Sequence, residues 1–373
     1  MALSPLFLRQ AFDSNPGSEI MIKDVTTIAV DLAKDVFQVA YGDGQGRVLS
    51  RQRIASRRAF ALQLGQWRDV TVVMESCATA HYWGRECRRL GLRVRLLPAQ
   101  HVGAYRRRNK TDAADAEALL EAARNAQIKD VPVKNETQQM VMAVHAMREG
   151  WKAARTARIN ALRGHLLGFG QSIPLGAEKA IAQASACIEH VPLALHSLLH
   201  QLLDEISDLS QRMVDAERQI IALNKQNPAA MHLQQISGIG PLTASALTAS
   251  AVDAKHFKSG RQLAAWLGLT PREHSSGSNR HLGRISKRGD VYVRMLLVHG
   301  ARSALSVALA LRNKSPEKLN RIQFWVSQLH DRIGMHKAIV AMANKLARIC
   351  WAMWTHGDCY DGNDAGLAKA IAA

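Results

Sequence analysis

The pattern of apolar runs over residues 25 to 97 restricts the first third of the chain to a mixed α/β sheet. Thr27-Ile28-Ala29-Val30 leads into Asp31, and two further runs, Val36 to Tyr41 and Arg47 to Ile54, follow the turn formers Ala33-Lys34-Asp35 and Asp43-Gly44-Gln45-Gly46. These three read as an antiparallel meander. Periodicity then alternates: a helix near Arg57 to Trp67, a strand from Val70 to Met74, a helix near Ala80 to Leu90, a strand from Arg93 to Leu97 and a helix from Thr111. A meander followed by βαβ units predicts a mixed sheet covered by helices. In such sheets the carboxyl ends of adjacent parallel strands form the binding crevice.

Two acids fall at that crevice. Asp31 closes the first apolar run and Glu75 closes the run Val70-Thr71-Val72-Val73-Met74. Thr111 is expected to cap a helix in which Asp112 is the first residue and Asp115 lies one turn later on the same face. Four converging carboxylates repel one another unless divalent metal neutralises them or some take up protons. Taken singly, acids in a first helical turn are what the helix dipole favours anyway. Acids at two strand ends, joined by an acid pair beside the basic run Arg106-Arg107-Arg108-Asn109-Lys110, point instead to one concerted site.

Charge narrows the partner. The 49 Lys and Arg against 31 Asp and Glu give +18, an excess that suits a polyanion because each neutralised phosphate releases condensed counterions. Aromatics make up only 5% of the chain, which argues against extensive base stacking and for recognition through backbone and shape. The five cysteines, Cys77, Cys87, Cys187, Cys350 and Cys359, form no CxxC pair, so neither a zinc ribbon nor a disulfide framework is expected and a reducing cytoplasm fits. No uninterrupted apolar run reaches bilayer length; the richest stretch, His336 to Trp354, carries Lys337, Lys345 and Arg348. No membrane partner is expected. Residues 1–24 read as a flexible extension without a signal-peptide pattern, and Met21 is an alternative start.

Helix-compatible sequence dominates from Glu136 to Gly168 and from Leu193 to Lys225, with the stripe Leu198, Leu202, Ile206, Leu209, Met213, Ala216 and Ile220. An antiparallel helical hairpin, serving as an oligomerisation arm or as an intramolecular core, is the reading. Near Leu233 a new region begins, in which Ile236-Ser237-Gly238-Ile239-Gly240-Pro241 resembles the hairpin of helix-hairpin-helix motifs, whose glycines let backbone amides approach a phosphate. Helical periodicity returns over Arg261 to Leu267 and Val291 to Leu311. The segment Pro271 to Asp290 is a poor core segment, rich in turn formers and in cations: Arg272, Arg280, Arg284, Lys287 and Arg288. A serine there is usually only a turn residue. A hydroxyl among those cations is also placed where a phosphodiester would be held and its developing charge stabilised.

Several spaced motifs, in order, resemble the DEDD-type transposases of the IS110 group of bacterial insertion sequences, and more closely their IS1111 branch. They are Ile28-Ala29-Val30-Asp31-Leu32-Ala33-Lys34, Met74-Glu75-Ser76-Cys77-Ala78-Thr79-Ala80-His81-Tyr82-Trp83 and Asn109-Lys110-Thr111-Asp112-Ala113-Ala114-Asp115-Ala116. In the second half they are Gly238-Ile239-Gly240, Ala265-Trp266-Leu267-Gly268-Leu269-Thr270-Pro271, Ser276-Gly277-Ser278 and Ser286-Lys287-Arg288-Gly289. The resemblance spans about residues 25 to 355. It implies a RuvC-like (ribonuclease-H-like) DEDD domain over 25–130, a long helical, coiled-coil connector over 131–230, a mainly helical C-terminal transposase domain with a serine loop over 231–355, and a tail over 356–373. It further implies magnesium on Asp31, Glu75, Asp112 and Asp115, and a nucleophile at Ser276, with Ser275 its extra neighbour.

Members of such a group resemble RNA-guided recombinases, which implies donor and target DNA, a structured guide (bridge) RNA and a homo-oligomer, dimer or tetramer, as partners, in the bacterial cytoplasm at the nucleoid. The expected reaction is cutting and rejoining of DNA through a covalent phosphoserine link, with acids and serine acting on one phosphate, and with His274 or the metal-site acids as candidate bases for Ser276. Arg106, Arg107, Arg108, Lys110, Arg272, Arg280, Arg284, Lys287 and Arg288 are the expected nucleic-acid contacts. Two alternatives are a junction nuclease in which the carboxylates activate water, and a non-catalytic nucleic-acid scaffold.

Overall fold

The computed structural model describes residues 24–105, 112–277, 279–357 and 360, and the chain divides into two compact units, Met1–Glu136 and Thr137–Ala373. In the first unit the strands β1 (Thr27–Leu32), β2 (Phe37–Gly42), β3 (Val48–Ile54), β4 (Thr71–Glu75) and β5 (Arg93–Leu97) form one sheet in the order β3-β2-β1-β4-β5. The first three strands pair antiparallel, while β4 runs parallel to both β1 and β5. This is the mixed sheet that the meander and βαβ pattern predicts. Asp43 makes the β2–β3 turn: its carboxylate accepts from the amides of Gln45 and Arg47 at 2.9 and 2.8 Å, an Asx-type turn.

Strand alternation sorts the sheet into two faces. Ile28, Val30, Phe37, Val39, Tyr41, Val72, Met74 and Leu96 pack on Phe60 and Leu64 of α1 (Arg57–Leu64) and on Trp83 and Cys87 of α2 (Ala80–Arg89). Phe37 stacks on Phe60 with ring centroids 4.4 Å apart, and Trp83 meets both rings edge-on. Burying each of these rings is worth roughly 2–3 kcal/mol, so this face anchors the unit. The opposite face is lined by Ala29, Ala40, Val73 and Leu97, which pack on Ala116, Leu119 and Leu120 of α4 (Asp112–Arg124). After β5 come a one-turn helix, α3 (Ala99–Val102), and a 3-10 turn at Gly103–Tyr105.

The second unit opens with an antiparallel pair, α5 (Glu136–Leu167) and α7 (His196–Asn224), bridged by α6 (Ala177–Ile188). Three polar links fix the pair's register: Arg148 to Glu217 at 2.6 Å, Arg155 to Ser210 at 3.3 Å and Arg158 to Glu205 at 2.8 Å. The apolar stripe expected on α7 holds from Ile206 to Ile220, but at its start Leu199 stands in place of Leu198. Leu199 is buried, whereas Leu198 is 61% exposed, because Leu199 stands about two full turns before Ile206 and so keeps its phase, while Leu198 falls to one side of the stripe. Also unforeseen is α6, which contributes Ala180, Ala184 and Ile188 to a small core with Ile159, Leu162 and Leu166.

The rest is a helical core made by α8 (Pro228–Leu233), α9 (Pro241–Ala251), α10 (Gly260–Trp266), α11 (Val291–Lys314), α12 (Arg321–Ile333) and α13 (Met335–His356). By length and composition α11 would cross a bilayer, a property the sequence assigned to no segment. Its Val293, Leu297, Ala301, Leu305 and Ala308 are nevertheless buried in this core, which explains its hydropathy. Gly238, expected to serve a phosphate contact, lets the α8–α9 loop lie on α11. A Cβ on Gly238 would stand 2.9 Å from the Gly300 carbonyl, and one on Gly300 would collide with the Gly238 carbonyl. Gly240 is open at the start of α9.

Candidate active-site elements

In the first unit, register places the predicted acids. Asp31 follows Val30 and so shares the α4-facing side with Ala29; Glu75 follows Met74 and shares that side with Val73. Val30 pairs with Met74, so the two acids sit one step beyond that pair on neighbouring parallel strands. Helix α4 runs back along β1. Its Leu120 packs against Gly42, which pairs with Thr27, and its Glu117 takes Arg51 Nε, whose residue pairs with Ala40 and through it with Ala29. The helix therefore reaches its first turn, starting at Asp112, at the Asp31 end of the strand. Asp115 in that turn is only 8% exposed.

A further row was not foreseen from the sequence. Gln38 pairs with Asp31 and Arg53 pairs with Gln38, so Arg53, Gln38, Asp31 and Glu75 line one edge of one face. The signal was available in the alternation of β2 and β3, but pairing partners follow only from the register of the turn. Asp31, Glu75 and Asp115 offer oxygen donors alone, the donor set that a hard divalent cation takes. Among the described residues no three His, Cys, Asp or Glu side chains stand close enough to enclose an ion. The side chain of Asp112, the expected fourth ligand, lies outside the described residues, as do Thr111 and the basic run Arg106, Arg107, Arg108 and Lys110.

In the second unit the cation-rich segment is a β-hairpin rather than an irregular loop. Strands β6 (Pro271–Glu273) and β7 (Leu282–Ile285) pair antiparallel, His274 donates its amide to the His281 carbonyl at 2.9 Å, and Ser276 and Asn279 exchange amide-to-carbonyl bonds at 3.3 and 3.2 Å. Ser276 thus closes a two-residue turn. Gly277, in that turn, has φ +58°, the left-handed conformation such a turn asks of its first central residue. Among the described residues the hairpin tip is exposed, Ser276 included.

Ser275, the neighbour, is differently placed. Its hydroxyl donates to Glu273 Oε1 at 2.7 Å and accepts from the His281 amide at 3.2 Å, while Arg280 Nε reaches the same carboxylate oxygen at 3.3 Å. The Ser275 hydroxyl first, and Arg280 second, hold the Glu273 carboxyl below its ordinary range. The cluster is a brace inside the hairpin that sequence reading missed. A turn centred on Gly277 would have revealed it, since that register brings 273 and 275 toward 280 and 281.

The base of the hairpin is locked to the helical core. Ser286 and Lys287 donate their amides to the carbonyls of Thr270 and Gly268 at 2.8 and 3.1 Å. Buried Arg294 of α11 donates to the Leu267 carbonyl at 2.9 Å and to that of Arg288 at 3.3 Å. Gly289 has φ +89°, and a Cβ there would fall 1.8 Å from the Trp266 carbonyl, so glycine is required. Asp290 then caps α11, accepting from the Val293 amide at 2.9 Å. Of the expected cations, Arg272 is turned to the Ser286 carbonyl at 3.2 Å and Arg280 to Glu273, whereas Arg284, Lys287 and Arg288 are exposed along the hairpin.

The first unit thus carries acids at the ends of adjacent parallel strands, and the second carries a long helical pair and a serine hairpin edged with cations. Residues 28–170 match a profile described as a transposase of the DEDD IS110 kind, and residues 230–315 match the transposase IS116/IS110/IS902 family. A probable family 20 transposase of Pseudomonas aeruginosa is 42% identical over 90% of this chain and 99% of its own length. The transposase for insertion sequence element IS1111A of Coxiella burnetii is 37% identical over 91% and 92%, and that for IS1328 of Yersinia enterocolitica is 34% identical over 90% and 99%. The chain belongs to the IS116/IS110/IS902 family of DEDD transposases.

Proposed function

We propose that the chain cuts and rejoins the DNA of an insertion sequence through a covalent link to Ser276. The observation that carries this reading is the hairpin: Ser276 stands at an exposed turn, on a base fixed to the helical core, with Arg284, Lys287 and Arg288 exposed along the same hairpin. The Ser275 hydroxyl is spent on the Glu273 brace, which favours Ser276 as the attacking group. In the reaction, Ser276 Oγ bonds to phosphorus while the bond to the 3′ oxygen breaks. The Oγ proton passes to a base, with His274 or one of the acids as candidate, and the leaving oxygen takes a proton to become a 3′ hydroxyl. The phosphoserine link conserves the bond energy, so a later 3′ hydroxyl reverses the step on another strand without a nucleotide triphosphate.

The first unit is read as a RuvC-like domain, with 131–230 as a coiled-coil connector and 231–355 as the domain that carries the serine. Asp31, Glu75, Asp112 and Asp115 would hold magnesium, which would supply stabilisation of the negative charge that develops on the phosphate during transfer. Gln38 and Arg53, in the same row, would orient Asp31 and steady the anionic substrate. Arg106, Arg107, Arg108 and Lys110, with the hairpin cations, are proposed to track nucleic-acid backbones. Sequence choice would be delegated to a guide RNA, and the working form would be a dimer or tetramer.

The test is to incubate the protein with magnesium, guide RNA and donor DNA, denature it, and look for DNA that stays with the protein. Retained DNA that is absent in Ser276→Ala is the expected result. Cleavage that survives Ser276→Ala, with nothing retained, would instead establish a nuclease that activates water.

A further inference from the structure

We propose that Tyr292 is a positioning residue for the serine hairpin: through its hydrogen bond to His145 it fixes the exit of the hairpin to the long helix α5, and so sets where Ser276 stands. The inference rests on the reading that Ser276 is the attacking group. It adds to that reading a side chain that acts from the foot of the hairpin, through the start of α11.

The chain leaves the hairpin through a strained segment. Lys287, a residue with a Cβ, has φ +55°, and Gly289 follows at φ +89°. A side chain in the left-handed region persists where the surroundings over-determine it, and such residues gather at functional sites. Here the surroundings are reached from alternate residues at the start of α11. Asp290, besides capping the helix, accepts a hydrogen bond from the Ser250 hydroxyl of α9. The Tyr292 hydroxyl shares a hydrogen bond of 2.9 Å with His145 Nδ1 of α5. Arg294 donates to the Leu267 carbonyl at the end of α10 and to the Arg288 carbonyl in the exit itself. Of these three ties, the one from Tyr292 reaches the helical pair; the other two stay among the helices of the core.

His145 is held on both sides. Its Nε2 and the Ser245 hydroxyl of α9 are hydrogen-bonded at 3.0 Å, with His145 1% and Ser245 2% exposed, and the Tyr292 ring meets the imidazole edge-on with centroids 5.4 Å apart. One turn further along α5, Arg148 bonds Glu217 of α7 at 2.6 Å, so the imidazole moves with the helical pair. Tyr292 is the second residue of α11, and a shift of α5 would therefore reach the strained exit within one helical turn. Packing by itself would be served by phenylalanine at 292. The hydroxyl adds a directional bond whose loss would leave a buried imidazole nitrogen unpaired, which makes the pair a register between two elements. Register at the foot of the hairpin matters for chemistry at its tip, because a reacting atom misplaced by about 1 Å can lose roughly a hundredfold in rate.

The experiment follows the full chain with magnesium, guide RNA and donor DNA in single turnover. It reads the saturating rate at which DNA becomes bound to denatured protein, the DNA concentration that gives half that rate, the thermal melting of each variant, and amide exchange at Ser286 and Lys287 without DNA. Tyr292→Phe keeps the ring and removes the hydroxyl. Its saturating rate should fall about tenfold, its half-saturating concentration should hold, and the two amides should exchange faster. Variants at His145 separate positioning from stability. An asparagine amide stands where Nδ1 stands and keeps the Tyr292 bond, whereas a glutamine amide stands where Nε2 stands and serves Ser245 instead. His145→Asn should therefore keep most of the wild-type rate, and His145→Gln should lose as much as Tyr292→Phe, whatever their melting temperatures. Rates that follow melting temperature instead overturn the proposal, as does a Tyr292→Phe rate equal to wild type. If Tyr292→Phe melts far lower, the His145 pair decides by the same readout. Wild-type protein that retains no DNA counts against the Ser276 chemistry itself; amide exchange in Tyr292→Phe, which needs no DNA, then decides whether the hydroxyl fixes the exit, and unchanged exchange overturns it.

Discussion

At the scale of single residues, adjacent serines have opposite work. Ser275 is tied into Glu273 and the His281 amide, and Ser276 faces outward at the turn. Ser275→Ala is predicted to slow strand transfer by about tenfold through a loosened hairpin, a loss of about 1.4 kcal/mol in transition-state stabilisation. Ser276→Ala is predicted to abolish strand transfer. Single-turnover assays of the two variants, side by side, check the contrast; equal losses would put the hydroxyls in the wrong order. A second residue-scale prediction concerns His145 of α5, which is 1% exposed between Tyr292 at 2.9 Å and Ser245 at 3.0 Å. Burial, with Arg148 adding to it, lowers its pKa to about 4. The unfolded chain then binds the proton more readily, so His145 contributes stability that is fully present above about pH 6.5 and is lost as pH falls toward 4, by about 3 kcal/mol at most. Urea midpoints of wild type and His145→Gln should converge as pH drops through that window. A gap that widens instead contradicts the sign.

At the scale of elements, the sequence was most legible where one period governs. Strands β4 and β5 and helices α1, α2 and α10 fall within a few residues of where periodicity put them, because each buries one face against the sheet or the helical core. It was least legible where the contact lies far along the chain. Nothing near Gly238 says that Gly300 will be its neighbour. The serine segment looked irregular because its strands are short and exposed, so they carry no apolar alternation. Two element-scale predictions follow from the geometry. Leu199→Ala should cost about 2–4 kcal/mol, and Leu198→Ala less than about 0.5, in denaturant melts. Gly289→Ala meets the Trp266 carbonyl at a positive φ and should cost about 2 kcal/mol or more while unseating the hairpin, seen as faster backbone amide exchange at Ser286 and Lys287.

At the scale of the whole molecule, a family of DNA-acting enzymes explains why a chain with ordinary cores carries +18 of charge. The four acids of the candidate metal site stood out in the sequence because strand ends and a first helical turn are marked by local pattern. Their neighbours Gln38 and Arg53 did not, because sheet register assigns them. The most direct measurement is peptide mass spectrometry of protein denatured during reaction with magnesium, guide RNA and donor DNA. The predicted result is a nucleotide phosphate on the peptide that contains Ser276, lost in Ser276→Ala and sharply reduced in Asp31→Asn. Strand transfer that proceeds with that peptide unmodified, or with Ser276→Ala fully active, would contradict the account.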